Sequence, residues 1–175
     1  MKLVRYGEAG AERPGILDGD GAIRDLSAHI DDIAGDTLAA LADLAALDPA
    51  VLPIVEGQPR LGPPVGRIGK VICIGLNYAD HAAEAGMDVP AEPIVFMKAP
   101  SAITGPNDPI ILPRGASKVD WEVELAAVIG ARARYVPEAS ALKHVAGFAA
   151  FNDVSERAFQ LEHGGQWTKG KSHDG

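Results

Sequence analysis

Hydrophobic and polar positions alternate in short runs through the first part of the chain, and these runs predict strands. The strand-like pieces are Lys2 to Tyr6, Gly15 to Leu17 and Ala22 to Leu26, and they surround the turn Asp18-Gly19-Asp20-Gly21. Asp-Gly between two short strands is a hairpin signal. From Asp36, the predicted N-cap, an Ala/Leu-rich stretch with helical spacing continues over Thr37 to Leu47. The pattern therefore predicts a small α+β module.

A stretch rich in proline and glycine separates this module from the rest of the chain. Residues 57–69 contain Pro59, Pro63 and Pro64 among several glycines. Such a composition resists regular structure and suits a linker. We therefore predict two domains, a small amino-terminal module with its linker over residues 1–66 and a second domain over residues 67–175.

Beyond the linker, apolar runs outnumber helical patterns. Strands are predicted at Lys70 to Gly75, Ile94 to Lys98 and Gly147 to Phe151, and helices from Asn77 or Asp80 to Ala85, ended by Gly86, and from Val154 to Glu162. The regular alternation of strand and helix that announces a parallel doubly wound sheet is missing from the pattern. The predicted fold class is α/β in the broad sense (α+β), and mainly β.

Composition and charge argue against several kinds of partner. The chain has 16 Lys plus Arg against 24 Asp plus Glu, a formal charge of -8, and no basic cluster that would bind nucleic acid. Its amino terminus lacks an apolar signal region, and no stretch approaches the roughly 20 apolar residues that span a bilayer. We therefore expect a cytoplasmic protein with no membrane partner. Apolar neighbours also predict that Cys73, the single cysteine, is buried.

The stretch DWEVEL carries the clearest chemical signal. Asp120, Glu122 and Glu124 occupy every second position, so on a strand they share one face, and the apolar run Leu125 to Ile129 indicates that the strand enters a core. Three like charges so close repel one another unless something positive lies between them. Oxygen ligands favour a hard cation, Mg2+ first, with Mn2+ or Ca2+ as alternatives. A solvated face of an edge strand is the other interpretation.

Two further groups of residues have competing interpretations. Asp153 follows a predicted strand and precedes a predicted helix, where it suits a capping box with Glu156, a metal ligand displayed at a strand end, or both. His81 and Glu84 lie three residues apart on a short predicted helix, so the carboxylate can orient the imidazole to accept a proton from water. Chance pairs at this spacing are common on surface helices.

The segment GQWTKGKS, from Gly165 to Ser172, matches the phosphate-binding pattern G-x-x-x-x-G-K-S. It would place Lys171 on the phosphates and Ser172 on Mg2+. The pattern requires a preceding strand and a following helix. Here the preceding segment, ending at Glu162, is predicted to be helical, which makes a nucleotide-binding module the disfavoured alternative.

Four segments in this order resemble the fumarylacetoacetate hydrolase family. They are GLNYADHAAEAG (75–86), DWEVELAAVIG (120–130), NDVSERAFQ (152–160) and WTKGKS (167–172). The resemblance extends over everything from Lys70 onward, and the amino-terminal part resembles that of bacterial hydrolases of 2,4-diketo-3-deoxy sugar acids of the rhamnonate and fuconate type. It implies a mixed, mainly β roll of folded-over sheets that assembles as a homodimer.

The resemblance also implies a site and a reaction. The matching residues are the metal ligands Glu122, Glu124 and Asp153, the water-activating pair His81 and Glu84, the charge-stabilising Lys171, and the substrate-side Gln160 and Arg157. The implied cofactor is Mg2+ or Mn2+. The implied reaction is hydrolysis of a carbon–carbon bond in a small β-diketo acid, an acylpyruvate or a diketo-deoxy sugar acid, with release of pyruvate.

Other functions within the resemblance stay open. Oxaloacetate decarboxylase, isomerase and ureidoglycolate lyase activities use nearly the same residues, so the metal site does not choose among them. Family members are longer than this chain, which stops at KSHDG before the segments that complete the sheet. We therefore expect a second domain truncated at its carboxyl end, and a noncatalytic truncated homologue is a further hypothesis.

Overall fold

The structure, a computed structural model, describes residues 1–84 and 86–174. Its contacts divide the chain into two units. The first consists of Met1–Ile68, Thr104–Pro109 and Val123–Asn152, and the second of Gly69–Ile103, Ile110–Glu122 and Asp153–Gly175. A domain boundary between residues 66 and 67 stays a prediction.

Short strands dominate the described residues. They are β1 (Lys2–Tyr6), β2 (Arg13–Leu17), β3 (Ile23–Asp25), β4 (Val71–Gly75), β5 (Ile94–Lys98), β6 (Val119–Asp120), β7 (Val123–Ile129), β8 (Val145–Asn152) and β9 (Ser155–Glu156). The α-helices are α1 (Leu41–Leu44), α2 (Ala79–Glu84) and α3 (Thr168–Lys171). Short 3₁₀ helices occur at Gly35–Ala40, Pro49–Val51, Pro100–Ala102 and Glu138–His144, and a π-helical segment at Ala158–Glu162. The predicted strand-rich α+β class is confirmed.

Over residues 1–84 and 86–174, the paired strands are all antiparallel, and they form one three-stranded sheet and three two-stranded sheets. A mixed β roll of folded-over sheets stays a prediction. Among residues 1–84 and 86–174, no helix combines the length and the apolar character that crossing a membrane requires.

The predicted amino-terminal hairpin is confirmed. Strand β2 pairs with β1 on one side and β3 on the other. In the turn before β3, the Asp18 side chain accepts a hydrogen bond from the Ala22 N–H at 2.9 Å, and Gly21 takes a φ of 83°. This φ lies in the left-handed region that glycine adopts without steric cost. Behind the sheet lies an apolar cluster of Ile16, Leu26, Leu44 and Leu52.

The helix predicted over Thr37 to Leu47 is wrong in its extent and in its cap. The chain forms a 3₁₀ helix over Gly35–Ala40, and only Leu41–Leu44 is α-helical. Ala34, not Asp36, precedes the first turn, and its methyl group offers no acceptor. The Thr37 N–H instead donates to the Ala34 carbonyl at 3.2 Å. Such tight i to i+3 bonds satisfy N–H groups that a capping side chain would otherwise take.

The acidic stretch is two strands rather than one. Strand β6 pairs with β9, whereas β7 pairs with β8, and Trp121 and Glu122 lie between them. Exposure alternates along β7, so it has a packed and an exposed face. Val123, Leu125, Ala127 and Ile129 lie on the exposed face, and Glu124, Ala126 and Val128 on the half-buried one. The prediction that the run Leu125 to Ile129 enters a core is therefore wrong for Leu125, Ala127 and Ile129, because successive side chains of a strand point to opposite faces and β7 packs one of its faces only.

In the second unit, the β4–β5 pair positions a buried charge. Its register runs from Val71 opposite Lys98 to Gly75 opposite Ile94. Cys73 on β4 is buried, as predicted. Along β5, the side chains of Val95 and Met97 are exposed, whereas Lys98 is buried, with only 5% of its surface accessible. The strand therefore carries the Lys98 ammonium into the interior of this unit.

Candidate metal centre

Three carboxylates from two segments of the chain converge. Glu122, Glu124 and Asp153 each offer an oxygen, and these atoms lie within 4.8 Å of one another. The Asp153 N–H donates to the Glu122 carbonyl at 2.9 Å, which holds the two segments side by side. The structure thus shows the predicted meeting of the acidic stretch with Asp153. Their role as metal ligands stays a prediction.

Asp153 is the most enclosed of the three, with no accessible surface. Each of its carboxylate oxygens accepts a hydrogen bond from a lysine. The Lys98 Nζ lies 2.6 Å from Oδ1, and the Lys171 Nζ lies 2.9 Å from Oδ2. Burial of an ionised carboxylate is costly unless it is paired and hydrogen-bonded. The two ammonium groups supply both kinds of compensation.

Lys171 joins Asp153 to Glu122. Its side chain is 2% exposed, and its Nζ also donates to the Glu122 Oε2 at 2.8 Å. The same ammonium lies 5.3 Å from the centre of the Phe96 ring, within the range of a cation–π contact. Lys171 therefore neutralises two carboxylates from a position at the end of α3.

The nucleotide-binding alternative is wrong in this structure. Helix α3, Thr168–Lys171, lies inside the segment that would have to form the phosphate loop, and Lys171 is its last residue. A phosphate loop needs its lysine at the start of a following helix. A π-helical segment, Ala158–Glu162, lies upstream of the motif where the preceding strand should be.

Arg157 links two residues of the acidic stretch. Its Nη1 lies 2.6 Å from the Glu122 Oε1, and its Nη2 donates to the Asp120 Oδ2 at 2.9 Å. The hydrogen bond from Arg157 is the main reason that the pKa of Asp120 is below its usual value. Burial opposes the charge on Arg157, but Asp120 and Glu122 outweigh it and raise the pKa of the guanidinium. Arg157 also donates to the Gln160 Oε1 at 3.1 Å, so the two residues predicted to serve the substrate lie together.

The predicted capping box of Asp153 and Glu156 is wrong. Residues Ser155–Glu156 form strand β9 rather than a first helical turn, and Asp153 turns its carboxylate to the lysines. Glu156 alone caps the next segment, because its Oε2 accepts the Phe159 N–H at 2.6 Å. Its Oε1 accepts the N–H groups of Ser117 and Lys118 at 3.0 and 2.8 Å. The buried Glu156 thereby ties β9 to the segment that leads into β6.

These bonds decide the protonation of Glu156. Burial favours the neutral acid, but the N–H groups that point at the carboxylate outweigh burial and lower its pKa to about 2. A carboxylate that accepts several backbone N–H bonds is held in its charged form. Glu156 therefore remains ionised and structural, next to the strand that leads from Asp153.

The structure does not bring His81 and Glu84 into the buried ion cluster. Both side chains are exposed on α2. The backbone N–H of His81 donates a hydrogen bond to the Asp80 Oδ1 at 2.9 Å. The predicted short helix is confirmed, and Gly86 follows it with a φ of 64°. The roles of His81 and Glu84 in catalysis stay predictions.

Lys98 was missed by reasoning from sequence. A signal for it existed, because the predicted strand Ile94 to Lys98 alternates, and Lys98 falls on the same face as Ile94 and Phe96. A lysine on the apolar face of a strand needs a buried anion. That anion is Asp153, 55 positions along the chain.

The donor set fits a hard divalent cation. Carboxylate oxygens that lie this close together are ligands that Mg2+, Mn2+ and Ca2+ accept. Among the described residues, Asp120, Glu122 and Asp153 pair with the cationic side chains of Lys98, Arg157 and Lys171. A divalent cation held by the three carboxylates would add two positive charges beside these pairs, which would favour an anionic ligand.

Comparison with known proteins gives a consistent answer. Residues 70–175 match the family described as fumarylacetoacetate (FAA) hydrolase C-terminal. A protein of Burkholderia ambifaria (strain MC40-6) named "Putative hydrolase" is 64% identical over 176 residues, which cover 99% of this chain and 62% of that protein. A similarly named protein of Burkholderia multivorans is 65% identical over the same lengths. This chain thus spans about 62% of the length of these relatives.

Solved structures share the fold. A fumarylacetoacetate hydrolase from Exiguobacterium antarcticum superposes with a TM-score of 0.78 and 35% identity over 100% of this chain and 63% of that one. A probable 2-hydroxyhepta-2,4-diene-1,7-dioate isomerase from Mycobacterium abscessus has a TM-score of 0.78 and 32% identity over 99% of this chain and 60% of that one. A 5-carboxymethyl-2-hydroxymuconate delta-isomerase from Mycobacterium smegmatis has a TM-score of 0.70 and 32% identity, covering 99% and 62%.

Proposed function

We propose that this protein, which belongs to the fumarylacetoacetate hydrolase family, hydrolyses a carbon–carbon bond in an anionic β-diketo acid. We also propose that the reaction requires a divalent cation. The observation that carries the proposal is the fully buried Asp153, held between two lysines and beside Glu122. A dense set of buried charges is costly to fold, and such sets occur where a protein performs chemistry. The substrate class is an acylpyruvate or a diketo-deoxy sugar acid, with pyruvate as one product.

Glu122, Glu124 and Asp153 would hold the cation. Their mutual distances support this assignment, and Mg2+ or Mn2+ suits a set of oxygen ligands. When bound, such a cation polarises the substrate oxygens that it contacts. The positive charge that it would add to the site favours a substrate that carries a carboxylate.

The remaining chemistry falls to side chains of the chain itself. His81, oriented by Glu84, accepts a proton from a water molecule whose oxygen bonds to the carbonyl carbon distant from the substrate carboxylate. The bond from that carbon to the adjacent methylene carbon then breaks. Its electron pair forms the enolate of pyruvate, which takes the proton back from His81. Lys171 stabilises the negative charge as it develops, and Arg157 and Gln160 orient the substrate.

Pyruvate release is the direct test. The protein is incubated with acylpyruvates and a diketo-deoxy sugar acid, with Mg2+ or with EDTA, and pyruvate is followed through NADH oxidation by lactate dehydrogenase. We expect pyruvate from at least one diketo acid when the cation is present, and none with EDTA or in Asp153→Asn. Lys118→Met is the control, because Lys118 forms an exposed pair with Glu162 outside the carboxylate cluster. Pyruvate release at the same rate in EDTA would overturn the metal requirement.

Isomerisation is the second candidate. It is favoured because two solved structures similar to this chain are named as isomerases, one of a 2-hydroxydiene dioate and one of a hydroxymuconate. The same constellation of residues can serve both reactions. Adding 2-hydroxyhepta-2,4-diene-1,7-dioate separates them, since an isomerase changes its ultraviolet spectrum without releasing pyruvate. Oxaloacetate, followed by loss of CO2, tests decarboxylation in the same panel.

We also propose that the chain assembles as a homodimer. Support comes from the exposed apolar side chains of β7 and β8, where Leu125 and Phe148 are 66% and 60% accessible. Large exposed apolar patches commonly mark sites of protein association. Light scattering coupled to gel filtration measures the mass directly, and a mass of one chain across the concentration range would contradict the proposal.

A further inference from the structure

Lys98 has no part in the mechanism proposed above, yet it is among the most buried charges of the second unit. It is 5% exposed, and its Nζ donates to the Asp153 Oδ1 at 2.6 Å and to the Val154 carbonyl at 3.0 Å. A hydrogen bond from an ammonium to a carboxylate is short, strong and directional. The second bond, to the backbone next to Asp153, fixes the ammonium relative to the carboxylate.

The two oxygens of Asp153 face different ways. The Lys171 Nζ contacts both the Asp153 Oδ2 and the Glu122 Oε2, at 2.9 and 2.8 Å, so Oδ2 is the oxygen directed toward Glu122. The other oxygen, Oδ1, is directed to Lys98. Rotation of the carboxylate to present both oxygens to one cation would break the bond to Lys98.

We infer that Lys98 is a positioning residue that restricts Asp153 to one ligating oxygen and thereby favours Mg2+ over Ca2+. The inference rests on the proposed function, in which Asp153 is a metal ligand. Mg2+ requires a compact, near-octahedral set of single oxygens, whereas Ca2+ accepts more ligands and both oxygens of one carboxylate. Groups that hydrogen-bond to a metal ligand set its orientation in this way.

A role of Lys98 in charge balance alone would have a different consequence. Removing its positive charge strengthens the attraction of the site for any divalent cation. Mg2+ and Ca2+ carry the same charge, so this contribution is the same for both and leaves the ratio of their affinities unchanged. The ratio of the two dissociation constants therefore isolates the orientation of Asp153 from the local charge.

Calorimetric titration with Mg2+ and with Ca2+ tests the inference. The proteins compared are the wild type, Lys98→Met and the control Lys118→Met, whose wild-type lysine pairs with Glu162 in solvent. Loss of a group that orients a metal ligand typically changes metal affinity by about 10- to 100-fold. We expect Lys98→Met to raise the ratio of Kd for Mg2+ to Kd for Ca2+ by about tenfold or more, and the control to leave it unchanged.

A second variant keeps the inference testable if Lys98→Met does not fold, which circular dichroism in EDTA reveals. Lys98→Gln retains a polar group that can donate to the Val154 carbonyl, and we expect it to shift the ratio in the same direction. An unchanged ratio in each variant that folds would overturn the role of Lys98 while leaving the metal site intact. If the wild type itself binds neither cation, the proposed function fails, and the inference fails with it.

Discussion

Replacement of Lys171 by methionine removes the ammonium that joins Asp153 to Glu122 while keeping a side chain of similar length. Lys171 is 2% exposed and lies within 2.9 Å of both carboxylates. The substitution therefore leaves buried negative charge with less compensation. The Asp153 carboxylate keeps its pair with Lys98, and Glu122 keeps its pair with Arg157.

The expected loss of stability follows from these remaining partners. Removal of one member of a buried ion pair typically costs about 3–5 kcal/mol. Both carboxylates retain one cationic neighbour, so we expect the lower end, about 3 kcal/mol. For a chain of this size, each kcal/mol lowers Tm by about 2–4 °C, which gives a decrease of about 6–12 °C.

Thermal unfolding in EDTA and in Mg2+ measures the effect. Because a divalent cation would replace the lost positive charge, we expect the difference between variant and wild type to be smaller in Mg2+ than in EDTA. Lys118→Met is the matched control, since its solvent-exposed pair with Glu162 should contribute little to stability. A decrease in Tm for Lys171→Met in EDTA no larger than that of the control would refute this account of the buried cluster.

Three further outcomes are expected. Glu156→Gln should destabilise the protein at neutral pH. Because folding lowers the pKa of Glu156 from 4.5 to about 2, the difference in stability between variant and wild type should shrink as pH falls from about 4.5 toward 2. Urea unfolding at several pH values measures this difference. Glu124→Ala should abolish cation binding and activity together, whereas His81→Ala should lower kcat by about 10²–10⁴ and spare cation affinity in calorimetry; the reverse pattern would show that the two roles are exchanged. Gly75→Ala should lower the free energy of unfolding by about 1–3 kcal/mol and change the tryptophan fluorescence, because a Cβ at this position overlaps the Trp167 ring. Gly69→Ala is the control, and it should change neither quantity because the space around Gly69 is open.

Local patterns in the sequence predicted the strands well. The strand Ile94 to Lys98 is found with the predicted bounds, and Gly147 to Phe151 lies within the longer β8. The first run contains the β-branched residues Ile94 and Val95 and the second contains Phe148 and Phe151, and β-branched and aromatic residues both favour strands. The helix α2 likewise ends before Gly86, whose positive φ suits the residue that follows a helix.

The capping-box prediction failed because a distant segment took over a local signal. Asp153 and Glu156 have the spacing of a capping box, yet the Glu156 carboxylate accepts N–H groups from Ser117 and Lys118, almost forty positions earlier. Strand β9 then pairs with β6, so a helix cannot begin at Val154. No pattern within a few residues of Asp153 carries information about that pairing, and tertiary contacts commonly override local preference.

The same reasoning explains why the acidic stretch could be singled out from its own repeat and the cations beside it could not. Glu122 and Glu124 stand two residues apart, whereas Asp153 joins them through the fold. The family resemblance alone pointed to Arg157 and Lys171, because no local pattern ties either residue to the acidic stretch. Electrostatics requires that buried carboxylates be compensated, which predicts that cations exist without saying where they lie. The acidic repeat by itself suggested a metal ion as that compensation, whereas in the structure Lys98, Arg157 and Lys171 also pair with these carboxylates. A cation bound there would add positive charge to carboxylates that already have basic partners, so it should favour an anionic ligand, and it should also raise Tm because it binds the folded state.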